Sequence, residues 1–341
     1  MTSTADRNEV LTDVRKYYGS RTVDIEWLPG DASNRSYARL KFQNPDESRI
    51  LMVMNAPEAF KSEEVTGSDE AKIKELPFVT VDRSFEKSGI RVPRIDYVSS
   101  DSRFLILEDL GDLLLYDYQA GQGIQQAMRW YEKALEELVR LQKVPPFSPA
   151  RDRRFTPELL EWEFEHFVEY ALLKRDKQMT PAVLAEIRNF GKKIVSAMAS
   201  SAYVLCHRDF HSKNLILLEK ENKIGVIDFQ DALMGPPSYD LASFLRDSYV
   251  RLTDDQEKHL LNYYVGLTGK PFDANLYALT SIQRNLKAAG RFYYISMVKG
   301  RDTHLPYVAP TMKRVFKTLR DVGEVRVLSV LEGLMREEVG N

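Results

Sequence analysis

The residues best suited to do chemistry lie between Val204 and Asp231. Asp209 and Asn214 stand five apart, Asp228 follows nineteen residues after Asp209, and three apolar runs (204–206, 215–218 and 224–227) bracket the loop that carries them. Two carboxylates and one amide make an oxygen-rich set, which suits a hard cation such as Mg²⁺. Moving a phosphoryl group onto a hydroxyl requires one carboxylate beside the acceptor oxygen and oxygen ligands for cations over the charged phosphate. Asp209 fits the first role, and Asn214 and Asp228 fit the second.

Other chemistries are weaker matches. His207 and His211 stand four apart, but that spacing brings two imidazoles to one metal only on a helix, and the flanks read as strand, loop, strand. Cys206 precedes His207, yet neighbouring strand residues point to opposite faces, so the thiol reads as a small buried apolar group. A loop whose Asp and Asn serve only structure is the plain alternative.

The order His207-Arg208-Asp209, Asn214, then Asp228-Phe229 matches the kinase pattern H-R-D-x-x-x-x-N followed by D-F-x. With His211 two residues after the Asp, where protein kinases carry Lys, the loop resembles the aminoglycoside phosphotransferase and choline kinase superfamily. The segment from Gly235 to Tyr249 is similar to one branch, the bacterial cell-wall-recycling kinases that phosphorylate the anomeric hydroxyl of N-acetylmuramate and N-acetylglucosamine. Asp31–Arg39, Leu107–Asp112 and Gln283–Gly290 resemble the same branch, so the likeness spans nearly the whole chain. It implies an α+β, bilobal protein-kinase-like fold, with a small, mainly antiparallel β N-lobe (1–110) that binds nucleotide and a larger helical C-lobe (111–341) that carries catalysis and acceptor binding. It also implies ATP and Mg²⁺ as cofactors, Asp209 as catalytic carboxylate with His207 and Asn214 beside it, Asn214 and Asp228 as metal ligands, and Asp240 as a brace for the loop. Choline, thiamine, homoserine or an aminoglycoside as acceptor, and a non-catalytic pseudokinase, stay open as alternatives.

The elements that must position this loop are readable on both sides of it. Val10, Leu11, Val14 and Tyr17-Tyr18 recur at helical spacing up to Gly19. Strands are expected over 23–28 and 36–42, joined by a turn-rich segment containing Ser33, Asn34 and Arg35. In a kinase such a turn covers the ATP phosphates, so these three residues are cofactor-binding candidates, although the usual G-x-G-x-x-G is absent and an ordinary hairpin is the local reading. The next strand, Ile50–Met54, lacks the expected phosphate-gripping lysine; Arg35, Arg39, Lys41 and Lys61 are the candidate replacements. A helix from Phe78 to Gly89 and strands over 92–98 and 104–107 follow, and then Leu107–Leu113 joins strands to helices. Glu108 and Leu110 are expected to offer backbone groups to adenine there, and a simple linker fits the same residues.

Beyond Asp112 the pattern turns helical: 124–142, 157–174 with Thr156 as N-cap, and 181–198. Residues 275–299 contain no acid, and Arg284, Lys287 and Arg291 fall at i, i+3 and i+7 on one helical face. Such a face suits an anionic acceptor and suits a polycation poorly. Arg284 and Lys287 are therefore acceptor candidates, and the resemblance of the segment 244–247 to the family implies Arg246 and Asp247 as two more. The competing readings are a solvent-facing basic stripe, and for Arg246 an internal ion pair.

The 341 residues are too many for one ordinary core, which agrees with two lobes. With 43% hydrophobic and 29% charged residues the composition is that of a globular protein, and a net charge of −2 argues against a nucleic-acid groove or an anionic membrane surface as the main partner. One cysteine excludes an internal disulfide, and no apolar run reaches spanning length. The expectation is a cytoplasmic monomer whose partner is a small amino-sugar substrate.

Overall fold

The computed structural model describes residues 4–29, 35–44, 46–54, 76–147 and 150–340. A helix, α1 (Thr4–Tyr18), precedes strands β1 (Val23–Trp27), β2 (Arg35–Phe42) and β3 (Ser48–Met54). Helix α2 (Pro77–Lys87) then leads to β4 (Ile95–Val98) and β5 (Phe104–Glu108). These five strands form one antiparallel sheet in the order β1-β2-β3-β5-β4.

Alternation along β3 explains why its run is apolar on both faces. Leu51 and Val53 join Ala38, Leu40, Phe104 and Ile106 in a core closed by Val10 and Val14 of α1. Met52 and Met54 point the other way, into a core shared with Phe78, Val81 and Phe85 of α2. A strand buried on both faces reads as a continuous hydrophobic run rather than an alternating one.

After β5 the chain becomes mainly helical: α3 (Leu115–Gln122), α4 (Ile124–Gln142), α5 (Pro157–Phe167) and α6 (Pro181–Ala199). Thr156 caps α5, accepting a hydrogen bond from Leu159 N–H. The helix expected through Lys174 stops being α-helical at Val168, where a π turn and then a 3₁₀ turn take over. At this level Gly290 presses on the neighbouring backbone: a Cβ there would lie 2.7 Å from Phe167 Cα and 2.8 Å from His166 O. Only glycine allows that approach.

The loop-bearing segment is built from short strands. β6 (Val204–Cys206) pairs with β9 (Leu233–Gly235), and β7 (Leu215–Leu218) pairs with β8 (Lys223–Val226). The β7-β8 hairpin docks on the inter-lobe linker through Leu217 N–H to Leu113 O and on the segment between α2 and β4 through Val226 N–H to Arg91 O, each at 2.8 Å. Gly225 lies so close to Leu110 that an added Cβ would meet its side chain at 2.8 Å. The remaining helices are α7 (Ser238–Leu245), α8 (Asp254–Thr268), α9 (Ala274–Lys299), α10 (Val308–Asp321), α11 (Val325–Leu334) and α12 (Arg336–Val339). The 26-residue α9 packs against α5, α7 and α10, and so organises the helical lobe behind the loop. The architecture is the expected α+β bilobal one. Among the described residues no helix is long and apolar enough to cross a membrane.

Candidate active site

Two buried carboxylates shape the loop that carries Asp209. Asp240, fully buried in the first turn of α7, accepts hydrogen bonds from the N–H groups of His207 (2.6 Å) and Arg208 (2.9 Å). Burial pushes its carboxyl up to about 7 against the pull of those donors. Asp247 accepts from Ser212 N–H at 3.0 Å, Ser212 Oγ at 2.5 Å and Tyr249 N–H at 2.8 Å. Between these anchors Arg208 takes φ +84°, and downstream Asp228 takes φ +64°, a conformation that non-glycine residues adopt at a cost.

His207 is 1% exposed and works by position. Its Nδ1 accepts from Asp209 N–H at 3.3 Å, which leaves Nε2 to donate to Ile227 O at 2.9 Å. Burial lowers its pKa to about 4, so the ring is neutral at pH 7. Asn214 Nδ2 donates to Asp209 O at 2.9 Å, which leaves its Oδ1 as the side chain's acceptor. Cys206, fully buried, faces Pro236 O rather than the imidazole, as expected of a packing residue.

Asp209 presents a carboxylate whose side chain is 45% exposed. Its surroundings raise its pKa through desolvation, but Arg284 and Lys287 more than reverse this, holding the carboxyl well below the usual range. Asp228 behaves in the opposite way. Desolvation within the cleft floor, with Asp209 and Asp231 nearby, raises it to about 6, while Gln230 and Arg35 oppose the shift. Gln230 Nε2 donates to Asp228 Oδ1 (2.9 Å) and to Asp231 Oδ2 (3.1 Å), leaving Asp228 Oδ2 without a hydrogen bond among the described residues. A crowded carboxylate and an amide oxygen, each with an open lone pair, fit a hard divalent cation.

The acid-free helix α9 has an internal partner. Glu163 on α5 is 0% exposed and accepts from Tyr239 OH (3.2 and 3.1 Å), Gln283 Nε2 (2.8 Å), Arg208 Nη2 (3.4 Å) and Lys287 Nζ. Burial raises its pKa, yet Lys287, Arg208 and Arg284 bring it down to about 2. Arg284 donates to Tyr239 OH at 2.7 Å and reaches Asp209 Oδ1 at 3.4 Å. Arg284 and Lys287 are therefore not a solvent stripe: they tie Glu163 to Asp209 through Tyr239, while Arg291 lies 4.7 Å from the Tyr294 ring centroid. Arg246 pairs with Glu257 at 2.6 Å and with Thr318 at 3.0 Å, which matches the internal-pair alternative. Asp247 is committed to the loop as described. Of these two acceptor candidates, Arg246 is partly buried and Asp247 fully, and each holds the internal contacts given above.

In the sheet lobe, Arg39 is bound by Asp109 (2.6 Å) and Asp112 (2.6 Å), and Lys41 by Glu26 (2.5 Å). Arg35 opens β2 opposite Met54, lies 5.9 Å from the Phe78 ring centroid and contributes to the field on Asp228. Ser33, Asn34 and Lys61 fall outside the described residues. Glu108 N–H donates to Arg94 O at 2.8 Å, and its carboxylate meets Arg91. The backbone groups of Leu110 enter no hydrogen bond among the described residues. Glu163 and Gln230 were not legible as site residues; a charge within a helix and a glutamine beside an Asp carry no motif.

The model of the phosphotransferase enzyme family matches residues 24–273. A relative from Neisseria meningitidis serogroup B, an N-acetylmuramate/N-acetylglucosamine kinase, is 27% identical over 95% of this chain and 93% of its own. A relative of the same description from Pseudomonas aeruginosa is 30% identical over 81% of this chain and 78% of its own. Among solved structures, a choline/ethanolamine kinase family protein from Mesorhizobium loti superposes with a TM-score of 0.62 at 13% identity, over 95% of this chain and 98% of that one. A thermostable aminoglycoside phosphotransferase mutant in ternary complex with ADP and hygromycin B gives 0.56 at 15%, over 92% and 98%. With its loop carboxylates, its two-lobed fold and a family match over most of its length, this chain belongs to the phosphotransferase enzyme family.

Proposed function

We propose that the protein is an ATP-dependent kinase that phosphorylates the anomeric hydroxyl of N-acetylmuramate, N-acetylglucosamine or both, in peptidoglycan recycling. The observation that carries this reading is the open carboxylate of Asp209, held ionised by Arg284 beside Asn214 and Asp228, in a chain whose full-length relatives are described as kinases of these sugars. The nucleotide lies between lobes that divide at Leu110/Gly111, with adenine against the backbone of Glu108 and Leu110. Ser33, Asn34 and Arg35 belong to the turn over the phosphates. Arg35, whose charge acts on Asp228, is the candidate among the described residues for the cation that stands in for the missing lysine, and Lys61 is the other.

Asn214 Oδ1 and the open oxygen of Asp228 are the groups that would hold Mg²⁺, which when bound neutralises charge over the phosphates. Asp209 receives the acceptor hydroxyl. Its depressed pKa keeps it ionised at neutral pH, so it orients the O–H first and takes the proton as the bond to phosphorus forms. His207 and Asp240 set the loop, and Asn214 locks its carbonyl side.

A coupled ADP-release assay across N-acetylmuramate, N-acetylglucosamine, choline and kanamycin tests the proposal. Turnover on at least one amino sugar is expected. Robust turnover on a cationic alcohol alone would sink the amino-sugar reading, and no turnover on any acceptor would favour a pseudokinase.

A further inference from the structure

One cation on the loop has no ion-pair partner among the described residues. Lys213, immediately before Asn214, holds its ammonium 3.8 Å from the ring centroid of Tyr249, 4.7 Å from that of Tyr116 and 5.3 Å from that of Tyr307. Among the described residues no carboxylate or carbonyl accepts a hydrogen bond from it, in contrast to Arg284, Lys287 and Arg246. Three aromatic faces hold a cation by its charge while leaving its N–H groups without an acceptor. The cage is itself braced, since Tyr116 and Tyr307 share a hydroxyl hydrogen bond of 3.1 Å.

The cage stands next to the reacting carboxylate. His211, two residues from both Asp209 and Lys213, is buried where the charges of Asp247 and Asp209 outweigh those of Arg284 and Lys213, packs edge-on to Tyr249 at 5.6 Å, and has a buried Nδ1 with no partner among the described residues. Tyr249 and Tyr307 also line a cavity of about 370 Å³, within the size range of ligand pockets. Among the described residues its lining includes Arg251 and Arg314 and no acid, and Thr311 Oγ1 lies buried there without a hydrogen-bond partner. Tyr249 and Tyr307, shared between the cage and a lining free of carboxylates, set Lys213 at the edge of a place for a ring bearing negative charge.

We infer that Lys213, in its cage of Tyr116, Tyr249 and Tyr307, is the specificity residue that reads an anionic substituent on the acceptor. This rests on the amino-sugar reading. N-acetylmuramate differs from N-acetylglucosamine by a lactyl ether carrying a carboxylate, so the two sugars separate recognition of that charge from everything else in the site.

The experiment is steady-state kinetics of wild type, Lys213→Met, Lys213→Arg and Arg251→Gln on both sugars at saturating Mg·ATP, with melting temperatures as a check on folding. Lys213→Met should lower kcat/KM for N-acetylmuramate roughly 10-fold or more beyond its effect on N-acetylglucosamine, mainly through KM, and Lys213→Arg should restore most of it. Equal losses on both sugars would overturn the inference and make Lys213 a brace for the loop. An unchanged ratio in Lys213→Met, with a shifted one in Arg251→Gln, would place the anion elsewhere in the cavity and overturn it equally. Wild-type turnover on neither sugar would sink the amino-sugar reading and this inference together, whereas turnover on N-acetylglucosamine with an unmoved ratio would sink the inference alone.

Discussion

Replacing Glu163 by Gln removes a fully buried negative charge from among three cations while keeping the side chain's shape. The carboxyl lies at about 2 in the folded protein against 4.5 in the open chain, despite burial, because Lys287, Arg208 and Arg284 surround it. That difference corresponds to about 3 kcal/mol of folding free energy. The folded-state value is depressed, so this stability is complete above about pH 4.5 and is lost as pH falls toward 2; at pH 7.5 all of it is at stake. Breaking a buried pair from one side costs about 3–5 kcal/mol, the same order. Calorimetry at pH 7.5 should show a melting temperature several degrees lower for Glu163→Gln, and Lys287→Met added to it should recover part of the loss, since removing both partners leaves less uncompensated charge. The variant should also turn over more slowly, because Tyr239 and Arg284 lose the anchor that sets Arg284 against Asp209. A melting temperature within a degree of wild type, with no recovery in the double variant, would refute the electrostatic account of this cluster.

Two further outcomes follow from the same physics. Asp228→Ala should weaken Mg·ATP binding more than adenosine binding, measured by calorimetric titration; equal losses would point to general damage rather than a lost ligand. Asp82 on α2 is 1% exposed, its Oδ2 has no partner among the described residues, and burial raises it to about 8. A raised carboxyl disfavours folding progressively as pH rises from about 4 to 8, so Asp82→Asn should melt above wild type by a margin that widens between pH 6 and 8.5. A margin independent of pH would contradict this.

Much of the fold was legible because its signals are local. The three apolar runs around Asp209 became β6, β7 and β8 with boundaries shifted by at most one residue, and Thr156 caps the helix its sequence announced. Helix 124–142 has the expected bounds, since an unbroken 3.6-residue stripe needs no tertiary help to be recognised. Short elements escaped: α3 and β9 have eight and three residues and take shape from their neighbours. The π turn after Phe167 lies where Gly290 of α9 presses on α5, a contact between positions 123 apart. The same reason governs the site. Arg284 and Lys287 were correctly read as one helical face, but the partner of that face, Glu163, lies on another helix and looks in sequence like any surface acid. Arg246 finds Glu257 eleven residues on, beyond helical spacing, and the tyrosines that hold Lys213 come from positions 116, 249 and 307.

The central claim is that Asp209 directs phosphoryl transfer to a sugar hydroxyl. Its most direct test is ³¹P NMR of reactions containing Mg·ATP and N-acetylglucosamine or N-acetylmuramate, run with wild type and with Asp209→Asn at matched ATP occupancy. Wild type should build an anomeric sugar phosphate together with ADP, and Asp209→Asn should form the same product roughly 10²–10⁴-fold more slowly while binding ATP almost normally. Equal rates from the two proteins, or phosphate released to water with no sugar phosphate, would contradict the account.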